Sequence, residues 1–191
     1  MAAWYSPSAL QTSSGSVGPA IAEFASDEVK RKVLPGILGG ELVMAIGYTE
    51  PHAGTDLAAL KTRAVRDGEH YVISGQKVFT SLAHLADYVF LAVRTGDPGT
   101  HPRHKGISML LVPTDSPGFS RTPIHTVADG ETNTTYYDNV RVPVSHLVGG
   151  ENRMGIGIVG VEGQGAFGIF SGAVAVIEAE QDGSAQGQHV R

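Results

Sequence analysis

The sequence predicts a mainly β chain with flanking helices, an α+β arrangement centred on a barrel or a sandwich. Three observations lead there. From Leu42 onward apolar residues recur with period two, in about seven short runs separated by turn residues every eight to twelve positions. Asp67-Gly68 joins two of these runs with a tight hairpin signal. Helix start and stop signals are concentrated before residue 40, so no alternation of strand and helix suggests a βαβ fold.

Taken in order, Met1 to Val17 are mostly small and polar, which predicts a loose terminus. Gly18 to Phe24 is a short apolar helix candidate. Ser26 can cap a second helix, with Asp27 and Glu28 in the first turn where the helix dipole favours acids, and Pro35-Gly36 is expected to end it. Leu42 to Ile46 reads as a buried strand. Thr62 to Arg66 and His70 to Ser74 alternate on either side of Asp67-Gly68. Asp87 to Val93 is rich in β-formers, and Gly106 to Val112 is continuously apolar. Between them, Thr95 to Lys105 is a polar loop rich in Gly and Pro. Phe119 to His125 and Thr134 to Val142 supply further strands around the turn Asp129-Gly130-Glu131. After Pro143, glycines from Gly149 to Gly172 punctuate an apolar stretch. Each glycine inside a helix costs about 1 kcal/mol relative to alanine, so the better helical piece is Ile169 to Gln181.

Composition narrows the function. The formal net charge of −5 and the lack of a basic stripe argue against nucleic-acid binding. The absence of cysteine removes disulfides, thiolate metal sites and cysteine nucleophiles. No apolar run approaches bilayer thickness, and the first residues lack a basic segment followed by an apolar one, so the expected location is the cytoplasm.

The stretch around which the chain is organised is Ile46-Gly47-Tyr48-Thr49-Glu50-Pro51-His52-Ala53-Gly54-Thr55-Asp56. A buried strand breaks here into a loop of hydroxyls and carboxylates. Pro51 cannot donate to a ladder, and Gly54 permits positive φ or close approach of a ligand. Such a loop suits the polar edge of a cofactor or a thioester. Its residues are equally compatible with a plain reading, in which Asp56 caps a helical turn over Leu57 to Leu60 and Glu50 faces water. A second stretch, Ser74-Gly75-Gln76-Lys77-Val78-Phe79-Thr80-Ser81, and a third, Asp138-Asn139-Val140-Arg141-Val142-Pro143, decide between them. Together the three resemble the acyl-CoA dehydrogenase family of flavoproteins, over about Gly18 to Ala179. Ser74 replaces the family's usual Asn, and Tyr48 its usual small aliphatic residue.

The resemblance implies an antiparallel β-barrel middle domain over 41–147. It implies the last pieces of an N-terminal helical domain over 1–40, and a linker with the first part of a C-terminal helical domain over 148–191. It implies FAD as cofactor and an acyl-CoA thioester as substrate. Ile46, Tyr48 and Thr49 would meet the pyrimidine edge of the flavin. Phe79, where the family commonly has Trp, would pack on the ring, and Ser81 would bond near N5 beside Thr80. Thr55 would contact both cofactor phosphate and acyl-CoA. On residue chemistry alone, Phe79 is an ordinary core residue and Ser81 a strand-end hydroxyl satisfied by backbone. Glu50 and Asp56 read as carboxylates that brace the loop.

Desaturation pairs removal of an α-proton by a carboxylate with hydride transfer to flavin. Neither Glu162 nor Glu178 stands in a context that matches the family's base, and Ala166 falls near the position of a family Arg. The expected site is therefore an incomplete one, served by a complementary or homologous subunit that carries the helical domain. The contrasting expectation is a non-catalytic remnant or binding module that keeps only the barrel.

Other constellations carry less. Gly155-Ile156-Gly157-Ile158-Val159-Gly160 and Gly163-Gln164-Gly165-Ala166-Phe167-Gly168 match a dinucleotide pattern, but neither follows a convincing parallel strand. His101 and His104 lack a carboxylate at ligand spacing, so no metal is expected; Arg103 and Lys105 beside them offer a weak anion site. There is no nucleophile elbow or P-loop.

Overall fold

The computed structural model describes residues 11–96, 106–127 and 131–149. These lie in a compact unit, Met1–Met154; the second unit, Gly155–Arg191, lies outside the described residues. The 155–168 glycine patterns, Glu162, Ala166, Glu178 and the helix expected over 169–181 therefore lie outside them too. So do His101, Arg103, His104, Lys105 and Asp129-Gly130.

Two helices open the description, α1 (Gly18–Phe24) and α2 (Asp27–Leu38). The Ser26 hydroxyl accepts from the Val29 N–H at 3.3 Å, and Asp27 and Glu28 occupy the first turn, as the capping signal predicts. Two expectations fail here. Residues 11–17 are helical, with a π-turn over Ser13–Val17, because the buried Ser13 hydroxyl accepts from the Met44 N–H at 2.9 Å and anchors the segment. Pro35-Gly36 does not end α2, which runs on to Leu38. Gly36 is there for space: a Cβ would lie 2.6 Å from the Leu42 side chain.

Eight strands follow: β1 (Met44–Gly47), β2 (Arg63–Asp67), β3 (His70–Lys77), β4 (Tyr88–Arg94), β5 (Ile107–Pro113), β6 (Phe119–His125), β7 (Glu131–Pro143) and β8 (Leu147–Val148). They form one sheet in the order β6-β7-β3-β2-β4-β5-β8, with β1 added alongside β4. The expected class holds, with two refinements. The path is open among the described residues, since its end strands β6 and β8 do not pair with each other. The pairing is antiparallel except where β1 and β2 both run parallel to β4.

That sharing of β4 positions the site. β1 covers Tyr88 to Leu91, β2 joins only at Arg63 opposite Arg94, and the chain between them, 48–62, leaves the sheet as a loop. The main core lies on one face, where Val89, Leu91, Val93, Leu110 and Val112 meet Tyr71, Ile73, Tyr137, Val140 and Val142. The alternate residues Phe90, Ala92, Met109 and Leu111 are buried as well, so β4 and β5 are apolar on both sides. The helices tie to the margins of the sheet: the Ser26 hydroxyl donates to the Ser145 carbonyl, and the Gly149 N–H donates to that of Phe24.

Candidate cofactor site

The two polar stretches meet at the seam between β1, β2 and β3. The Val78 N–H donates to the Thr49 carbonyl at 2.9 Å, which joins the end of β1 to the end of β3. Lys77, the last residue of β3, points inward on the same face as Tyr71 and Ile73 and is fully buried. Its ammonium donates to Glu50 Oε1 at 2.8 Å and to the Tyr48 carbonyl at 3.1 Å.

Glu50 in turn closes the neck of the 48–62 loop. Its Oε2 accepts from the Lys61 N–H at 2.7 Å and its Oε1 from the Thr62 N–H at 2.9 Å. Arg94 holds the same exit from the other side, donating to the carbonyls of Ala58 and Leu60 at 2.7 and 3.2 Å. Burial by itself would raise the Glu50 carboxyl, but the Lys77 ammonium and the Thr62 hydrogen bonds outweigh it and hold the group below its ordinary value. Burial pulls the Lys77 ammonium down to about 8, against the opposing pull of Glu50. At neutral pH both partners are ionised. Glu50 is thus the loop brace that the sequence suggests, not a solvent-facing carboxylate.

Asp56 precedes a 3-10 turn over Leu57–Ala59, but its side chain does not cap it. Gly54 does not have a positive φ, and no protein atom lies within 4 Å of an added Cβ.

The candidate cofactor residues divide into three groups. Ile46 and Tyr48 lie half-buried at the end of β1. The Tyr48 ring sits 6.4 Å from that of Phe90, and burial raises its phenol to about 12. Thr49 is joined to Val78 as described. Thr55 stands exposed on the loop.

Around the second turn, Phe79 has φ +58° and is 59% exposed, so it is not the core residue that its apolarity alone suggests. Thr80 is fully buried, its hydroxyl 3.3 Å from that of Thr135 and its backbone paired in both directions with Asn133. These bonds hold the turn in place. The half-buried Ser81 hydroxyl donates to the Thr132 hydroxyl at 3.4 Å, across to β7 and not to backbone.

Lys77 and the anchors Thr132, Asn133 and Thr135 have no assigned role in the sequence reading. The signal for Lys77 was its parity: it continues the buried register of Tyr71 and Ile73.

These residues fit a flat aromatic cofactor. An exposed aromatic ring is fixed by a turn whose neighbours are tied down, and the N–H groups of Phe79 and Ser81 have no partner among the described residues. They offer a face and donors along an edge. Among the described residues no group of His, Asp and Glu could hold a metal, and no helix is long and apolar enough to cross a membrane.

The fold is that of a known enzyme-family domain: residues 45–140 match the family model "Acyl-CoA dehydrogenase, middle domain". The chain belongs to this family. Acyl-CoA dehydrogenase FadE29 of Mycobacterium tuberculosis is 60% identical over 138 residues, covering 71% of this chain and 35% of that protein. Two solved structures, the Tcur3481-Tcur3483 steroid ACAD and the ChsE4-ChsE5 complex from Mycobacterium tuberculosis, are each 55% identical. Their TM-scores are 0.72 and 0.70, and the matches cover 75% and 74% of this chain and 37% and 36% of theirs. A glutaryl-CoA dehydrogenase from Mycobacterium smegmatis, solved in complex with FADH2, is 32% identical with a TM-score of 0.63, over 71% of this chain and 34% of its own. The chain thus spans about a third of the length of the relatives it matches.

Proposed function

We propose that this chain is the flavin- and thioester-binding portion of an FAD-dependent acyl-CoA dehydrogenase, acting in α,β-desaturation. The observation that carries the reading is the junction of the two turns. The Val78–Thr49 hydrogen bond brings the backbone next to an exposed Phe79 up to the end of β1, where Tyr48 and Thr49 follow. The relative solved with FADH2 supports the choice of cofactor.

In this reading Phe79 packs on the isoalloxazine. Ser81 and the free N–H groups of the second turn bond its N5 side. Ile46, Tyr48 and Thr49 line its pyrimidine edge, and Thr55 reaches cofactor phosphate and thioester. Thr80 acts behind them, as an anchor.

The chemistry that FAD supplies when bound is acceptance of the hydride from the β-carbon, while a carboxylate takes the α-proton. Glu50 is committed to Lys77, Lys61 and Thr62 and does not serve as that base. A complementary or homologous subunit is the proposed source. The ChsE4-ChsE5 structure, a complex by its title, supports a heteromeric arrangement.

The test is spectroscopic. Chain incubated with FAD and then freed of unbound flavin should retain its visible absorbance, and acyl-CoA added to the chain alone should not bleach it. A preparation that is colourless after unbound FAD is removed would identify a binding module without the cofactor. Bleaching by acyl-CoA with no second chain would show that the base lies within these 191 residues.

A further inference from the structure

Two opposite charges are buried in this small domain where nothing in the reaction calls for them. Glu50 and Lys77 lie 2.8 Å apart, both screened from solvent, at the one place where β1, β2 and β3 converge. Burying a pair costs desolvation free energy that attraction repays only in part, and apolar residues of similar volume often serve stability as well. A pair retained in such a place invites a role beyond folding.

Its contacts indicate that role. Each acceptor and donor is directed at backbone: Lys77 at the Tyr48 carbonyl, Glu50 at the Lys61 and Thr62 N–H groups. The three backbone groups lie at the two ends of the 48–62 loop, and Lys77 itself ends β3, immediately before Val78 and Phe79. No apolar pair could reproduce those bonds, because methyl groups neither accept from an N–H nor donate to a carbonyl.

We infer that the Glu50–Lys77 pair is a positioning device, which fixes the Tyr48–Thr49 edge relative to Phe79 and Ser81 so that the flavin surface exists before the cofactor arrives. This rests on the FAD reading given above. Neither side chain touches the cofactor in it; both act through backbone. A surface ordered beforehand binds more tightly than one that must be ordered on binding.

The test separates positioning from folding. FAD affinity is measured by flavin fluorescence, and melting temperature without cofactor, for the full chain and for Lys77→Met, Glu50→Gln and the double variant. Lys77→Met leaves a lone buried charge and should lower the melting temperature. The double variant removes both charges and should recover most of that loss. Its FAD affinity should nonetheless stay at least about tenfold weaker than that of the parent. Methionine offers no donor to the Tyr48 carbonyl, and the glutamine amide, with one oxygen where the carboxylate had two, does not restore both N–H bonds.

If affinity in the double variant recovers together with melting temperature, the pair is structural only and the inference is overturned. If the parent itself takes up no FAD, the functional reading fails first, and the inference with it. Should the variants not fold, amide exchange of the parent decides. Without cofactor, the Lys61 and Thr62 amides should already exchange as slowly as those of β4 and β5, and rapid exchange there that slows only when FAD is added would overturn the inference.

Discussion

The β4–β5 pair and the neck of the 48–62 loop are both buried, yet they are built on opposite principles. β4 and β5 match over seven residue pairs and bury apolar side chains on both faces. Their stability is the removal of hydrocarbon from water, which is indifferent to direction. The neck buries charge and hydroxyl: Glu50, Lys77, Thr62 and Thr80. It is stable only because each polar group meets a partner at hydrogen-bond distance, so the neck tolerates much less variation in geometry. The lesson is a division of labour. A nonspecific apolar frame carries the stability, and a specific polar seam beside it shapes the surface where ligands would sit.

The sharpest break in that comparison is Lys77→Met. Removing one member of a buried pair should cost about 3–5 kcal/mol in denaturant unfolding. It should also change the acid limb of the stability curve. Glu50 titrates below its usual 4.5 in the native state, so its contribution is present above pH 4.5 and is lost as pH falls through the lower native value. Without the Lys77 ammonium, burial raises that native value, so the acid loss from this group should shrink. Once the native value exceeds the unfolded one, the variant should gain stability as pH falls through it. An acid limb identical in parent and variant would mean that the pair is not formed in solution.

Leu110→Ala tests the other side. Leu110 is fully buried between β4 and the core, so the substitution should cost about 2–5 kcal/mol by lost transfer energy and the cavity left behind. The loss should be the same at pH 4 and pH 7, since no titratable group is involved. A pH-dependent loss would show that frame and seam are coupled and not separate.

The contrast also explains what was legible in the sequence. Strands β2 to β7 and both helices can be read because period and capping are local properties. β6, Phe119–His125, matches its expected bounds, whereas β3 runs three residues further, to Lys77. β8 is two residues long and gains its identity only from pairing with Met109 and Leu110, so no periodicity could announce it. The same holds for residues 11–17, whose helix depends on a hydroxyl reaching Met44, 31 positions away in the chain. At the site, the motifs locate the two turns, but they do not reveal that Thr80 points inward while Phe79 points out. That difference comes from a backbone with φ +58° at Phe79, a conformation that side-chain chemistry does not encode.

Gly75→Ala probes where seam and frame touch. Gly75 has φ +149° at a register shift between β3 and β7, and an added Cβ would lie 2.6–2.9 Å from Thr62. Strain of this kind costs about 1–3 kcal/mol. Because Thr62 is one of the two residues whose N–H groups Glu50 holds, the damage should be local: amide exchange should quicken at Lys61 and Thr62 and stay unchanged in β4 and β5. Faster exchange throughout the sheet would instead place Gly75 in the frame.

The smallest effect is expected at an ion pair that looks better than it is. Arg141 Nη1 lies 2.7 Å from Asp67 Oδ2 and belongs to the third family stretch, which tempts one to credit the stretch to this contact. The two side chains are 52% and 63% exposed, and water screens such pairs to about 0.2–1 kcal/mol. Its neighbours in the stretch, Val140 and Val142, are fully buried in the core. The stretch thus matters through its apolar face, and Arg141→Ala should lower stability by less than about 1 kcal/mol, with the difference vanishing in about 1 M salt. A loss several times larger that survives high salt would mean that the outer face of β7 is also part of the seam.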